Sequence, residues 1–134
     1  RVVSDTFAAD MLALADPIAQ FTHPWRDCVY TEAAASAGIP KYAGEDFHAQ
    51  TSQYRMYRHP EHWGLWATGV IARQHDDPQV RFLGEEWSKM ITEGTFQDQV
   101  SQPVALRAAG LRPAPLPGTH LANRWVAYEG SGRH

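Results

Sequence analysis

The sequence predicts an α/β domain in which a mixed sheet is flanked by helices. Residues 65–72 form a short apolar run with Trp, Thr, Val and Ile after Gly64, which is the pattern of a buried strand. Asp77 and Pro78 then mark a helix start, because Asp accepts bonds from unpaired N–H groups and Pro at the first position loses none. Apolar residues follow at helical spacing up to Gly94. We therefore expect a central strand with an amphipathic helix packed on it.

Shorter elements are predicted before this strand–helix unit. Residues 7–14 carry apolar side chains on one helical face, and residues 18–21 are short enough for a strand. Asp27 is expected to cap the next helix, and residues 43–57 read as another. Alternating helices and strands are typical of an α/β arrangement.

The last third of the chain contains one more helix and a proline-rich segment. Thr95 is expected to cap this helix, with Asp98 in its first turn and a kink at Pro103. Residues 112–134 are predicted to be a partly flexible tail, in which 124–128 form an edge strand.

Length and composition set the limits of the function. The chain has 134 residues, of which 43% are hydrophobic, and these values suit a single domain. A net charge of −3 argues against a general binder of nucleic acids or anionic membranes. The sequence shows no apolar run of about 18 residues and no signal peptide, which favours a cytoplasmic location. Because the chain opens at Arg1 without Met, we expect a piece of a longer protein.

Asp98, Gln99 and Gln102 are the first candidates for chemistry. A carboxylate among amides suits sugar hydroxyls, because the carboxylate accepts hydrogen bonds while Gln both donates and accepts them. The alternative for Asp98 is a structural role in the helix cap.

A second group of candidates follows the predicted strand at 18–21. Arg26 can hold a phosphate or carboxylate with its planar fork, while Asp27 can pair with it or cap the helix. With His23 they lie at a strand end, where α/β sheets bind ligands, although a structural turn with an Arg–Asp pair would give the same pattern. Trp63 could stack on a sugar ring, since the neighbouring Gly64 allows a ligand close to the backbone.

The seven histidines do not predict a metal site. His59 and His62 are separated by three positions with Pro60 between them, and no Cys accompanies them. Asp76 and Asp77 precede a proline, which favours a helix cap over a metal ligand.

Several ordered motifs resemble a known family. The block His-Pro-Trp-Arg-Asp-Cys-Val-Tyr-Thr-Glu-Ala beginning at His23, the later Gly-Leu and Thr-Gly-Val blocks, and the Asp-Gln-Val-Ser block are similar to the glycosyltransferase-like domain family formerly classed only as a domain of unknown function. The order also resembles the acceptor-side, C-terminal half of GT-A glycosyltransferases. By this resemblance Asp98 and Gln99 are catalytic. The substrate-binding residues that its motifs imply are His23, Arg26, Asp27, Gly64, Thr68 and Gly69, and the chemistry of the side chains adds Trp63 and Gln102.

The resemblance implies transfer of a hexose from a nucleotide-sugar donor to a hydroxyl of a carbohydrate or other acceptor. Asp98 would position or activate the reacting groups, and Arg26 would balance negative charge. GT-A enzymes commonly bind Mn²⁺ or Mg²⁺ through an Asp-x-Asp motif, which this sequence lacks, so the cation ligands are expected outside this chain. The 134 residues alone are then expected to be inactive and to self-associate at an open sheet edge. The alternative is a non-catalytic carbohydrate-binding or assembly domain.

Overall fold

The computed structural model describes residues 1–127, which form an α/β fold with a small mixed sheet and helices. Within this part the sheet has three strands in the order β2-β1-β3. In chain order the elements are α1 (Phe7–Leu12), β1 (Ile18–Thr22), α2 (Val29–Ala37), a 3-10 helix (Pro40–Tyr42), α3 (Phe47–Met56), β2 (Trp66–Arg73), α4 (Pro78–Glu93), α5 (Asp98–Ala109) and β3 (Ala114–Pro115).

The strand predicted at 65–72 is confirmed as β2, but its predicted central position is wrong. Strand β1 lies between β2, with which it pairs antiparallel, and β3, with which it pairs parallel. Residues 18–21 of β1 are all buried, whereas only two of the eight residues of β2 are buried. The longer apolar run therefore lies at one edge of the described sheet, and the shorter strand occupies its centre.

The α4–α5 pair packs on one face of the sheet. Asp77 caps α4 as predicted, with Oδ1 accepting bonds from the N–H groups of Gln79 at 2.8 Å and Val80 at 3.1 Å. Leu83 is buried in the core as expected. Trp87 is only half-buried, and its indole Nε1–H donates to Ser101 on α5 at 3.0 Å.

Helix α5 differs from the prediction at both its start and its middle. The capping residue is Gln97 rather than Thr95, and the helix continues through Pro103 to Gly110. Nine of its twelve residues are buried, so packing on two sides offsets the hydrogen bond that proline cannot make. Gly110 ends the helix in the left-handed conformation with φ of 71°.

The other predicted helices are shorter than expected. Helix α1 ends at Leu12, and the helix predicted at 43–57 forms only from Phe47 to Met56, after the side chain of Asp46 accepts a bond from the Ala49 N–H. Asp27 does not cap α2, because the capping position is Cys28, which makes no side-chain cap bond.

Part of the predicted tail is packed against the domain. It supplies β3, and the side chains of Leu116 and Trp125 are 3% exposed. Val126 forms an antiparallel bridge with Val2. The rest of that prediction, from Tyr128 to His134, lies outside the described residues.

Three apolar clusters form the core. One lies among α2, α3 and α5, a second lies between one sheet face and α4 and α5, and a third covers the other sheet face beneath α1 and Trp125. Within residues 1–127, no helix combines the length and apolar character needed to cross a membrane.

Candidate functional site

The candidate site is built around the buried carboxylate of Glu32. This side chain has no solvent exposure, and its Oε2 accepts a short hydrogen bond of 2.5 Å from Arg26 Nε. Arg26 is 28% exposed at its side chain and reaches the surface. A buried carboxylate is stable only with such partners, so Glu32 holds the guanidinium in one orientation.

His23 completes the side of the cluster that faces β1. Its Nδ1 accepts bonds from the backbone N–H groups of Trp25 at 3.2 Å and Arg26 at 3.1 Å. These bonds place the proton of the neutral ring on Nε2, which lies 3.6 Å from Glu32 Oε2. The imidazole therefore orders the loop between β1 and α2 and directs its N–H toward the carboxylate.

Gln97 brings the start of α5 to the same carboxylate. Its Nε2 lies 3.4 Å from Glu32 Oε1 and donates to Ser36 Oγ at 3.0 Å. Its Oε1 accepts from the Gln99 N–H, so one side chain caps α5 and also contacts Glu32. The two segments predicted to carry the chemistry thus meet at Glu32.

Asp98 and Gln99 differ in their environment. Asp98 is half-buried in the first turn of α5, and its carboxylate makes no hydrogen bond with another described residue. The cap is made by Gln97, so the capping role considered for Asp98 is not observed. Gln99 is 9% exposed, and its Oε1 lacks a partner within residues 1–127.

Asp27 turns away from Arg26 and binds an imidazole. Its Oδ1 lies 2.6 Å from Nδ1 of His62, in the loop before β2, and both side chains are exposed. The hydrogen bond to Asp27 raises the pKa of His62. The Arg26–Asp27 pair considered from the sequence does not form.

The sugar-stacking site predicted at Trp63 and Gly64 is occupied by the protein itself. The Arg112 guanidinium lies over the Trp63 ring at 4.4 Å, and the edge of Trp66 contacts the same indole. Gly64 has φ of 139°, and a Cβ there would lie 2.4 Å from the ring of Trp66. This glycine therefore makes room for Trp66.

No side-chain hydrogen bond joins three other predicted binding residues to the Glu32 cluster within residues 1–127. Gln102 is fully buried and exchanges two hydrogen bonds with Gln20, of 3.1 and 2.7 Å, so its amide is used within the core. Thr68 and Gly69 lie along β2, where Thr68 is half-buried and Gly69 is exposed.

His59 is a second buried histidine, but it has no comparable partners. It is 5% exposed, and neither ring nitrogen has a hydrogen-bond partner within the described residues. Burial, with a smaller effect of the Arg107 charge, lowers the pKa of His59 to about 4. The ring is therefore neutral at neutral pH and packs edge-on against Tyr30 and Trp63.

Glu32, Gln97 and His62 are the site residues that sequence reasoning did not select. Glu32 shares the face of α2 that carries Val29 and Ala33, and a carboxylate on an apolar face is a signal of a buried charge. His62 carried no such signal, because its partner Asp27 is distant in sequence.

The described side chains of the candidate site do not form a metal centre. In the part of the chain that the structure describes, no three His, Cys, Asp or Glu side chains are grouped so that they could hold a metal ion.

Comparison with known proteins adds no family assignment. No protein-family model, curated protein or solved structure matches this chain.

Proposed function

We propose that this chain forms the acceptor-side part of a glycosyltransferase of the GT-A type, which transfers a hexose from a nucleotide-sugar donor to a hydroxyl group. The observation that carries the proposal is the meeting of the His23–Arg26 segment with the start of α5 at Glu32. The site lies where β1 ends and two helices begin, a common ligand position in α/β folds.

Arg26 has the properties needed to stabilise the leaving group. Glu32 binds its Nε, while the terminal nitrogens have no protein partner within the described residues. Two N–H groups of a guanidinium in fixed orientation can bind oxygens of a diphosphate. Arg26 would therefore neutralise charge that develops on the leaving diphosphate during transfer.

Asp98 has the properties needed to hold a sugar. Its carboxylate is half-buried and makes no hydrogen bond with the described protein, so it can accept bonds from sugar hydroxyls. Gln99 follows on the same turn with an unpaired Oε1. Together they would orient the sugar beside Arg26.

Mn²⁺ or Mg²⁺, which the resemblance implies, does not fit the described residues, because these hold no group of three suitable ligands. We assign no step of the reaction to a cation. We predict that the ligands of the cation are residues outside this chain.

The test is acceptor-dependent release of nucleotide by the full-length protein with a panel of uridine and guanosine diphosphate hexoses, in the presence of Mn²⁺ or Mg²⁺. Arg26→Gln should lower kcat by on the order of a hundredfold, since it removes one electrostatic contact to the leaving group. Arg73→Gln, at the exposed end of β2, is the matched control and should leave the rate unchanged. Absence of release with every donor would refute the proposal.

The second candidate function is a non-catalytic carbohydrate-binding domain. It is favoured by Trp25, whose side chain is 51% exposed on the loop that carries Arg26 and so offers an apolar face to a sugar ring. Titration with uridine and guanosine diphosphates, with and without Mn²⁺, separates the two functions. Metal-dependent nucleotide binding by the full-length protein supports the transferase, whereas sugar binding without nucleotide binding supports the alternative.

A further inference from the structure

The pair of Asp27 and His62 has the geometry of a general base. A distance of 2.6 Å between Oδ1 and Nδ1 indicates that the imidazole donates its Nδ1–H to the carboxylate. This bond fixes the tautomer, so the lone pair of the neutral ring lies on Nε2. His62 is 63% exposed at its side chain, and Nε2 has no polar partner within the described residues. A basic nitrogen is thus held in a defined orientation and left open to solvent.

Two backbone hydrogen bonds join the segment that follows His62 to the loop at the end of β1. The N–H of Gly64 donates to the carbonyl of Asp27 at 3.0 Å, and the N–H of His23 donates to the carbonyl of Leu65 at 2.9 Å. These two bonds tie the His62 loop to the loop that carries Arg26. Arg26, which binds Glu32, and Asp27, which binds His62, are adjacent in the sequence.

The loop also stores backbone strain at this position. His62 has φ of 56°, a left-handed conformation that is unfavourable for a side chain with a Cβ. Arg58 also has a positive φ, of 60°, but it directly follows the last turn of α3, where a left-handed residue commonly ends a helix. Strained residues of this kind persist where the surrounding structure fixes them, and they are enriched at functional sites. In this conformation the exposed imidazole of His62 contacts Asp27.

The charges around His62 make its ring a stronger base. The carboxylates of Asp27 and Glu61 both raise the pKa of the ring, and the hydrogen bond to Asp27 has the largest effect. Arg26, the neighbouring cation, is engaged by Glu32. A general base works best when its pKa lies near the working pH.

We propose that His62 is the general base that deprotonates the acceptor hydroxyl, with Asp27 as its positioning residue; this inference rests on the transferase function proposed above. The hydroxyl proton passes to His62 Nε2 while the hydroxyl oxygen forms a bond to the anomeric carbon. The bond from that carbon to the diphosphate oxygen breaks, and its electron pair leaves with the nucleoside diphosphate beside Arg26. A single displacement of this kind inverts the anomeric configuration.

The test compares variants of the full-length protein in the acceptor-dependent assay across pH 5 to 9. His62→Gln should lower kcat at least about a hundredfold with the melting temperature and KM little changed, because general-base catalysis contributes ~10²- to 10⁴-fold. Asp27→Asn removes the carboxylate that raises the His62 pKa, so the acidic limb of the kcat profile should move to lower pH. His48→Gln, an exposed histidine on α3, is the matched control and should change neither quantity.

The outcomes separate this inference from the proposed function. If the unmodified protein transfers sugar and His62→Gln retains its rate, the base is another group and only the inference fails. Retention of the anomeric configuration in the product has the same meaning. If the unmodified protein releases no nucleotide with any donor, the transferase function fails and the inference fails with it.

Discussion

Two buried polar clusters within the described residues differ in how their polar atoms are bonded. Gln20 and Gln102 lie in the core with no exposure, and each amide donates to the other at 3.1 and 2.7 Å. Glu32 is equally buried, but its partner Arg26 is a charged side chain that reaches the solvent. The first cluster bonds to itself and to the Ala67 carbonyl, which accepts from Gln20 Nε2 at 3.2 Å, whereas the second leaves a cation open to a ligand.

This difference separates a structural polar group from a candidate functional one. A neutral, reciprocally bonded pair fixes the register of α5 on β1 at little cost, because both amides are satisfied. A buried carboxylate costs several kcal/mol to desolvate, and a hydrophobic pair of similar volume is often at least as stable. The presence of Glu32 is therefore better explained by the orientation of Arg26 than by stability.

The largest effect is expected at Glu32. Glu32→Ala removes the partner of Arg26 and of Gln97, and breaking a buried ion pair costs ~3 to 5 kcal/mol. Because Arg26 can turn partly into solvent, we expect about 3 kcal/mol less free energy of unfolding, measured by urea denaturation. Glu85→Ala, on the exposed face of α4, is the control and should change stability by less than about 0.5 kcal/mol. A cost below about 1 kcal/mol for Glu32→Ala would show that the two clusters do not differ as described.

Replacing one glutamine of the pair should lower the free energy of unfolding more than the replacement of the second one adds. Gln102→Leu leaves Gln20 Oε1 buried without a donor, although Gln20 Nε2 keeps its bond to the Ala67 carbonyl, and an unpaired group of this kind costs ~1 to 3 kcal/mol. The double variant with Gln20→Leu as well should recover part of this loss, because no side-chain amide is then unpaired, although the Ala67 carbonyl loses the bond from Gln20. Urea denaturation of both single variants and the double variant gives the coupling energy. Simple additivity of the two single effects would contradict the structural role of the pair.

His59 differs from both polar clusters, because it is buried with no hydrogen-bond partner in the described part of the chain. Its folded pKa of about 4 lies below the ordinary value of 6.5, so its contribution to stability is present above pH 6.5 and is lost as the pH falls toward 4. After allowance for solvent screening, the loss should be up to about 2 kcal/mol. His59→Phe should remove this part of the pH dependence of the melting temperature between pH 7 and 4. An unchanged profile in the variant would assign the acid sensitivity to other groups.

The fold was predictable where the signal is local. The cap at Asp77 and the apolar spacing up to Leu83 predicted α4, because both depend on neighbours within the same helix. The order of the strands was not predictable in this way. A short strand such as β1 becomes central only through pairing with the distant β2 and β3.

The site was predictable in its segments but not in its pairings. The motif at Arg26 and the start of α5 were selected from the sequence, and the structure brings both to Glu32. Asp27 was assigned to Arg26 or to a helix cap, but it binds His62 across the fold. Gln102 was read as a ligand-binding amide because nothing in its local sequence shows that Gln20 lies opposite. Partner choice among polar side chains depends on tertiary contacts, which periodicity does not report.

The smallest effect on stability, with a large effect on activity, is expected at Asp98. Its carboxylate makes no hydrogen bond in the described structure, and the cap of α5 is supplied by Gln97. Asp98→Asn removes only the attraction between a negative charge and the helix N-terminus, which is worth ~0.3 to 1 kcal/mol. We therefore expect a melting temperature within a few degrees of the unmodified protein, while transfer falls by on the order of a hundredfold because the sugar loses a charged acceptor. Differential scanning calorimetry and the nucleotide-release assay measure the two effects on the same preparation. A large loss of stability with unchanged transfer would show that Asp98 has a structural role and does not bind the sugar.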